Sequence, residues 1–446
     1  MFSTADTIVA IATPPGRGGI GVVRVSGPDA RVIVSSLRGL DEPFEPRRAT
    51  FCRIRSFDRS IDHAVVTFFP GPHSYTGDDV VEISAHGSPV ILRAIVGAAV
   101  AHGARLAEPG EFTLRAFLNG RVDLAQAEAV ADLVDAVTPL QARAAFDQLE
   151  GTLTARIAEI DGTLFDLIAR LEASVDFPEE GYHFIESGEL ARALDDLLDR
   201  IGKLLADGRR GRLIREGLQV AIVGKPNVGK SSLFNALAGS GRAIVTETAG
   251  TTRDLITESI DVDGLRVTLI DSAGIRETTD LVESVGVGLA RQTMRVADAV
   301  LVVVDGSNPL DEDDIAILRL TTGTRRVVVA NKCDVRVENA VGFLPVSART
   351  GAGLARLREE IVEALDVEPS RDQPAITNMR HVGLVEKTHD AIGRARDAII
   401  AHGNALSEEF VLADLQAARA ALEEISGRRA PEDLLAHIFA RFCVGK

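Results

Sequence analysis

Five short motifs, in fixed order and each at the end of a strand-like run, constrain this chain more than any other feature. They are Gly224-Lys-Pro-Asn-Val-Gly-Lys230-Ser231, Gly250-Thr-Thr-Arg-Asp254, Asp271-Ser-Ala-Gly274, Asn331-Lys-Cys-Asp334 and Ser347-Ala-Arg349. Many NTPases carry the first of them, a Gly-rich turn closed by Lys and Ser. The complete set, in this order, describes a site for GTP and Mg²⁺.

Each motif has a physical task. Residues 218–223 form a short apolar run that reads as a buried parallel strand. It feeds the Gly-rich turn and then a helical pattern. Gly224 and Gly229 allow backbone angles that bring N–H groups onto phosphate oxygens, and the following helix directs its positive end at the same place. The cradle runs through Asn227, Val228, Gly229, Lys230, Ser231 and Ser232. Lys230 should reach the β- and γ-phosphates, and the Ser231 hydroxyl should bind Mg²⁺. A second strand, 265–270, ends at Asp271, the expected carboxylate for the magnesium shell. Ser272, Ala273 and Gly274 follow, with the Gly274 N–H offered to the γ-phosphate. In the loop Thr246, Glu247, Thr248, Ala249, Gly250, Thr251 and Thr252, either Thr251 or Thr252 should close over the metal, with Thr252 preferred for Mg²⁺.

Base choice follows from a third strand, 326–330, ending in Asn331-Lys332-Cys333-Asp334. The Asp334 carboxylate can accept from both N1–H and the 2-amino group of guanine. Adenine offers neither donor in that arrangement, and a buried acceptor left unpaired is costly. Lys332 can lay its stem over the base. Ser347-Ala348 offers a backbone N–H to the guanine oxygen, and Arg349 completes that motif.

At 446 residues and 46% apolar content, the chain can form two or three domains with real cores. No apolar run approaches the ~18 residues of a membrane span, and the N-terminus lacks the basic start and apolar stretch of a signal peptide. Cys52, Cys333 and Cys443 have no metal spacing, which points to a reducing, cytoplasmic setting. A net charge of −16 makes a poor non-specific nucleic-acid binder. An RNA substrate would need local contacts or positive surface from a partner. With no Trp, and only Tyr75 and Tyr182, a base-stacking platform is not visible.

Residues 1–118 read as a mixed α/β module, with strands at 20–25, 64–69 and 80–84 and a helix at 89–102. From about 121 to 209 the pattern turns helical. Val122, Leu124, Ala127, Val130, Leu133, Val134 and Val137 form one apolar stripe. Helices are again expected at 378–401, 408–425 and 431–442, with Pro431 at a favoured start. The economical arrangement is one helical domain with the G module inserted. Arg209-Arg210-Gly211-Arg212, just before that module, reads as a solvated linker in preference to an RNA contact.

Outside the G motifs, the stretches Ala12-Thr-Pro-Pro-Gly-Arg-Gly-Gly-Ile-Gly, Ser74-Tyr-Thr-Gly-Asp-Asp-Val-Val-Glu82, Glu108-Pro-Gly-Glu-Phe-Thr-Leu-Arg-Ala-Phe-Leu-Asn-Gly-Arg-Val-Asp and Phe442-Cys-Val-Gly-Lys446 are far more specific. With them the whole chain resembles the MnmE (TrmE) family of tRNA-modification GTPases. The resemblance implies a multidomain α/β plus all-α fold: an N-terminal α/β folate-binding and dimerisation domain (1–118), a helical domain in two parts (119–214 and 371–446), and an inserted Ras-like P-loop GTPase domain (215–370). It implies a homodimer working on tRNA with an FAD-dependent partner subunit in a hetero-oligomer. That assembly adds an aminomethyl-type group at C5 of the wobble uridine, taking carbon from 5-formyltetrahydrofolate or a related reduced folate. The family's folate residues fall on Arg24, Glu82, Arg121 and Lys446. A carboxylate suits a pterin's adjacent N–H donors, and cations suit the folate tail. The family pattern has Lys where Arg121 stands, which keeps the charge but not the shape. Without the resemblance all four read as ordinary surface ion-pair residues. Cys443 reads either as a passenger thiol or, by the resemblance, as a participant in modification or tail placement.

In many small GTPases a Gln directly after the Asp-x-x-Gly motif orients the attacking water. Here that position is Ile275, and no arginine finger is obvious. The resemblance assigns water orientation to Glu283. It also implies a K⁺ beside the phosphates, bound by Asn227, the carbonyls of Thr246 and Thr248, and an oxygen of Thr251. Arg253 as a finger in cis is the rival. From other classes, a GTP-switched ribosome-assembly factor would be expected to bring a basic RNA-binding appendage, and a membrane-remodelling GTPase a basic amphipathic helix. Neither is evident in the sequence.

Overall fold

The computed structural model describes residues 5–38, 45–176, 186–240, 256–262, 264–271, 297–335, 342–364, 376–402 and 408–445. The N-terminal part alternates strands and helices: β1 (Ile8–Ile11), β2 (Gly18–Ser26), α1 (Ala30–Arg38), β3 (Thr50–Ser56), β4 (Arg59–Phe69), β5 (Val80–Gly87), α2 (Pro89–Ala101), β6 (Arg105–Leu106) and α3 (Glu111–Leu118). The sheet order is β3-β4-β5-β2-β1-β6, antiparallel except for the β1–β6 pair. Side chains alternate across a strand. Val23, Val25, Val81 and Ile83 enter a core with Ile33 and Leu37 of α1 and Leu92 and Ile95 of α2. Arg24 and Glu82, one residue out of phase, therefore lie on the opposite face. Strand β4 begins earlier than the apolar run at 64–69 suggests, because a tight turn at Phe57 (φ 50°) and Asp58 pairs Ser56 with Arg59.

The Glu108–Arg115 stretch is explained by a buried ion network. Arg115, 1% exposed, donates to Asp6 Oδ1 (2.6 Å), the Asp6 carbonyl (2.7 Å) and Glu111 Oε1 (3.0 Å). Arg105 binds the same two carboxylates at 2.7 and 2.6 Å. Burial alone would raise the Glu111 carboxyl, but the hydrogen bond from Arg105, with others from the Glu108 N–H and Arg115, outweighs it and holds it low. Asp6 is lowered chiefly by its bond from Arg105. With both groups depressed, the network stabilises fully above the ordinary carboxylate range and loses its contribution as pH falls through and below it. Removing one partner of a buried ion pair costs about 3 kcal/mol or more. Arg115→Met should therefore lower the melting temperature at neutral pH and flatten the acid side of the stability profile. A melt and acid profile matching the wild type would show the network to be energetically idle.

Helices follow: α4 (Leu124–Asp135), α5 (Pro139–Leu149), α6 (Thr152–Asp176) and α7 (Ser187–Glu216). The second sheet comprises β7 (Leu218–Val223), β8 (Ile256–Val262), β9 (Leu265–Asp271), β10 (Ala299–Asp305), β11 (Arg326–Asn331) and β12 (Leu344–Pro345). Its helices are α8 (Lys230–Ser240), α9 (Glu312–Leu320) and α10 (Leu354–Ala364). The order is β12-β11-β10-β7-β9-β8, parallel except for β8 against β9. This is a Ras-like doubly wound sheet. β7 and β10 are buried along nearly their whole length, the mark of central parallel strands. The chain closes with α11 (Met379–His402), α12 (Glu408–Ser426) and α13 (Glu432–Phe439). Leu124, Ala127 and Val130 of α4 share a core with Leu435, Ile438 and Phe439 of α13. Val134, the last but one residue of the expected stripe, is exposed. Pro431 caps α13 in an extended conformation instead of opening it, and the helix stops at Phe439. The architecture is thus an N-terminal α/β module plus helical segments flanking an inserted Ras-like module. The chain divides into two compact units. One comprises 1–134, 146–199 and 384–446, and the other 135–145 and 200–383.

Candidate functional site

In the second unit the loop between β7 and α8 has a fixed shape. Gly224 (φ 158°) and Gly229 (φ 95°) bracket it. A side chain at Gly224 would collide with the Val303 carbonyl, and one at Gly229 with the Asn331 amide. Asn227 adopts φ 63°, a left-handed conformation that Asn tolerates better than most residues. Lys230 is buried, and its Nζ donates to the carbonyls of Gly224 and Lys225, both at 2.8 Å. The loop therefore wraps the lysine head at the positive end of α8.

The ends of β10 and β11 lie in register, Asp305 beside Asn331. Asn331 is buried; its Nδ2 donates to the Val228 carbonyl (2.9 Å) and its Oδ1 accepts from the Ala348 N–H (3.1 Å). One side chain thus ties the Gly-rich loop to the 347–349 turn. Lys332 (φ 67°) donates to the Asn227 carbonyl (2.9 Å) and to Asp305 Oδ2 (2.7 Å). Asp334 Oδ1 accepts from Ser347 Oγ (2.6 Å), and Arg349 lies 4.0 Å from its other oxygen. The Ser347 bond is the main reason the Asp334 carboxyl sits below its usual range. Asn227, Val228, Gly229, Lys230, Asn331, Lys332, Asp334, Ser347, Ala348 and Arg349 are so brought together, with Ser231 and Ser232 in the first turn of α8 and Asp271 as the last residue of β9. Thr246, Glu247, Thr248, Ala249, Gly250, Thr251, Thr252, Ser272, Ala273, Gly274 and Glu283 lie outside the described residues, as do Arg253 and Ile275.

Two groups escaped the sequence reading. Asp305 ends an apolar strand just as Asp271 does, and that signal could have found it. Burial pushes its carboxyl up, but bonds from Lys332 and Ser307 outweigh this and hold it at about 2. Lys225 binds Asp311 (2.6 Å) and Asp314 (2.7 Å), which form a capping box at the start of α9. The Asp-x-x-Asp spacing was legible, its lysine partner was not.

In the first unit, Arg24 and Glu82 are cross-strand neighbours on β2 and β5. Arg24 Nε and Nη2 both reach Glu82 Oε1, at 3.0 and 2.8 Å. Its Nη1 donates to the Gly445 carbonyl (3.2 Å). The guanidinium lies 5.1 Å from the Tyr75 ring centre and 5.6 Å from that of Phe112. The tail is seated by a bridge between Val444 and Pro109. Gly445 takes φ 102°, where a side chain would strike the Ile11 carbonyl. Arg24, Glu82 and the tail are therefore adjacent. Arg121 is exposed and borders the Tyr75 loop, within 3.3 Å of where a Gly77 side chain would begin. Lys446 lies outside the described residues. Cys443 is exposed, and nearby Arg441 contacts His437 (2.9 Å). No helix among the described residues is long and apolar enough to cross a membrane.

Residues 7–121 match the family model "GTP-binding protein TrmE N-terminus", and residues 124–443 match "MnmE helical domain". The chain is 44% identical to the tRNA modification GTPase MnmE of Laribacter hongkongensis and 42% identical to that of Nitrosospira multiformis, with 100% of both chains covered in each case. The MnmE of Heliobacterium modesticaldum is 44% identical, with 99% of each chain covered. With such identity sustained from end to end, the chain belongs to the MnmE family of tRNA-modification GTPases.

Proposed function

We propose that this protein hydrolyses GTP and, with an FAD-dependent partner subunit, installs an aminomethyl-type group at C5 of the wobble uridine of tRNA from a reduced folate. The observation that carries the GTPase reading is the convergence of three motifs on one loop. Asn331 and Lys332 hold the Val228 and Asn227 carbonyls, while Asp334 is fixed by Ser347. A glycine-bracketed loop at a helix N-terminus suits a polyphosphate. Mg²⁺ would be held by Ser231 and Thr252, and K⁺ by Asn227, Thr246, Thr248 and Thr251, with Glu283 orienting water. When bound, these cations offset charge on the phosphates. A preformed Lys230 and a guanine-reading Asp334 place the nucleotide before chemistry begins.

For the folate, Glu82 would accept from a pterin's adjacent N–H groups, and Arg24, Arg121 and Lys446 would face its carboxylates. The donor set fits: Arg24 and Glu82 form a partly exposed guanidinium–carboxylate pair, and the guanidinium lies beside the exposed Tyr75 ring, which suits a flat heterocycle. We read the protein as a cytoplasmic homodimer joined through the N-terminal modules. Arg24→Ala and Glu82→Ala should each abolish binding of 5-formyltetrahydrofolate by calorimetry and remove the modification from wobble uridines by mass spectrometry, with GTP affinity intact. Unchanged folate affinity in both variants would sink the folate site.

A further inference from the structure

We propose that Asp305 is a positioning residue that fixes Lys332 on the Asn227 carbonyl and so couples guanine reading to the phosphate-loop asparagine. The inference rests on the GTPase reading above. Asp305 ends β10 directly beside Asn331 at the end of β11, and the Gly306 N–H continues that pairing to the Asn331 carbonyl at 2.7 Å. Its carboxylate does two separate jobs. Oδ1 accepts from the Ser307 N–H (3.0 Å) and Oγ (2.6 Å), which locks the side chain against its own turn. Oδ2 is then aimed at Lys332 Nζ, 2.7 Å away. A turn of this kind needs only one oxygen, so the second bond is not required by the loop.

A lysine stem has much rotamer freedom to lose when ordered. Lys332 is only partly covered, and two acceptors hold its head: Asp305 and the Asn227 carbonyl. Asn227 is in turn the non-glycine residue of the loop that takes a left-handed conformation, and it is exposed. Fixing Lys332 therefore fixes both the stem that lies along a purine and the backbone that aims Asn227. In this role Asp305 acts through Lys332.

The test uses the full-length protein, a fluorescent GTP analogue for affinity, and GTP turnover against KCl at constant ionic strength. Asp305→Asn keeps an acceptor for Ser307 but presents an amide to the lysine. It should weaken nucleotide binding about tenfold and raise the half-activating K⁺ concentration about tenfold, the scale of one lost charge-assisted hydrogen bond. Discrimination of guanine from xanthine nucleotides, which belongs to Asp334, should stay as in the wild type. Asp305→Ser, which also keeps an acceptor but cannot reach Lys332, should lose as much and serves if the Asn variant melts early. Ser307→Ala, which leaves the Ser307 N–H on Oδ1, should change each quantity much less than either Asp305 variant. Wild-type affinity in both Asp305 variants, or an equal loss in Ser307→Ala, overturns the proposal. If the wild type itself turns over equally in K⁺ and Na⁺, the potassium part of the proposed function fails, and the affinity measurements still decide the role of Asp305.

Discussion

Asp334→Asn should weaken GTP binding by ~10⁴-fold and admit xanthosine triphosphate, because a site built around a buried hydrogen bond rejects the wrong partner by that order. In the proposed site the carboxylate would present acceptors to guanine's N1–H and 2-amino group. In the variant one acceptor becomes an amide donor facing the 2-amino donor, and xanthine, with an oxygen there, becomes the better match. The local frame should survive the change. Ser347 Oγ donates to Asp334 Oδ1 at 2.6 Å, and an amide oxygen can take that bond. The bond also keeps the wild-type carboxyl below its usual range. Guanine reading should therefore persist as pH falls towards the ordinary carboxylate range and fail only at stronger acid. Competition between the two triphosphates reads the exchange directly. A variant that binds GTP as tightly as the wild type and still excludes XTP would remove Asp334 from base recognition.

Replacing K⁺ by Na⁺, or Asn227 by Ala, should lower GTP turnover by ~10³-fold, the scale on which an arginine finger acts. The motive is what the sequence lacks: Ile275 stands where a water-orienting Gln is common, and no arginine from a partner is evident. Asn227 is suited to hold an ion. Its carbonyl is taken by Lys332 (2.9 Å), and its left-handed backbone (φ 63°) leaves the side chain exposed at the loop. The smaller Na⁺ would sit loosely among oxygens spaced for K⁺. Arg253→Ala should keep most of the potassium response. Turnover measured in KCl and NaCl at matched ionic strength separates the two accounts. Equal rates, or a selective collapse in the Arg253 variant, would favour an arginine in cis.

What could be read from the sequence follows burial. The strands β7, β9 and β11 carry dense apolar runs, and their ends carry motifs, whereas β10, equally apolar, ends in no motif and was not read. The two-residue strands β6 and β12 left no trace, since Arg105 and Leu106 are exposed and are strand only by pairing with β1. The Arg24–Glu82 contact could be reached only through resemblance. It is created by the β2–β5 register, and nothing in residues 24 or 82 alone reports that register. Asp305 was legible as a strand-ending carboxylate, but its purpose needed the position of Lys332. The tail was hardest to place, because its seat depends on Pro109, Ile11 and Arg24, all far away in sequence.

That tail has a consequence for how the molecule assembles. The bond from Arg24 to the Gly445 carbonyl closes a loop spanning 421 positions of sequence. Closure entropy grows only with the logarithm of loop length, about 0.6 kcal/mol per doubling. Threading a whole nucleotide-binding module between the two contacts therefore penalises the docked tail little more than a much shorter connector would. The kinetic burden is different, because contacts this distant form only after local structure is in place. Beyond the buried Phe442, residues 443–445 are seated by contacts to Pro109, Gly110, Ile11 and Arg24, all distant in sequence, so this end should be among the last segments to dock.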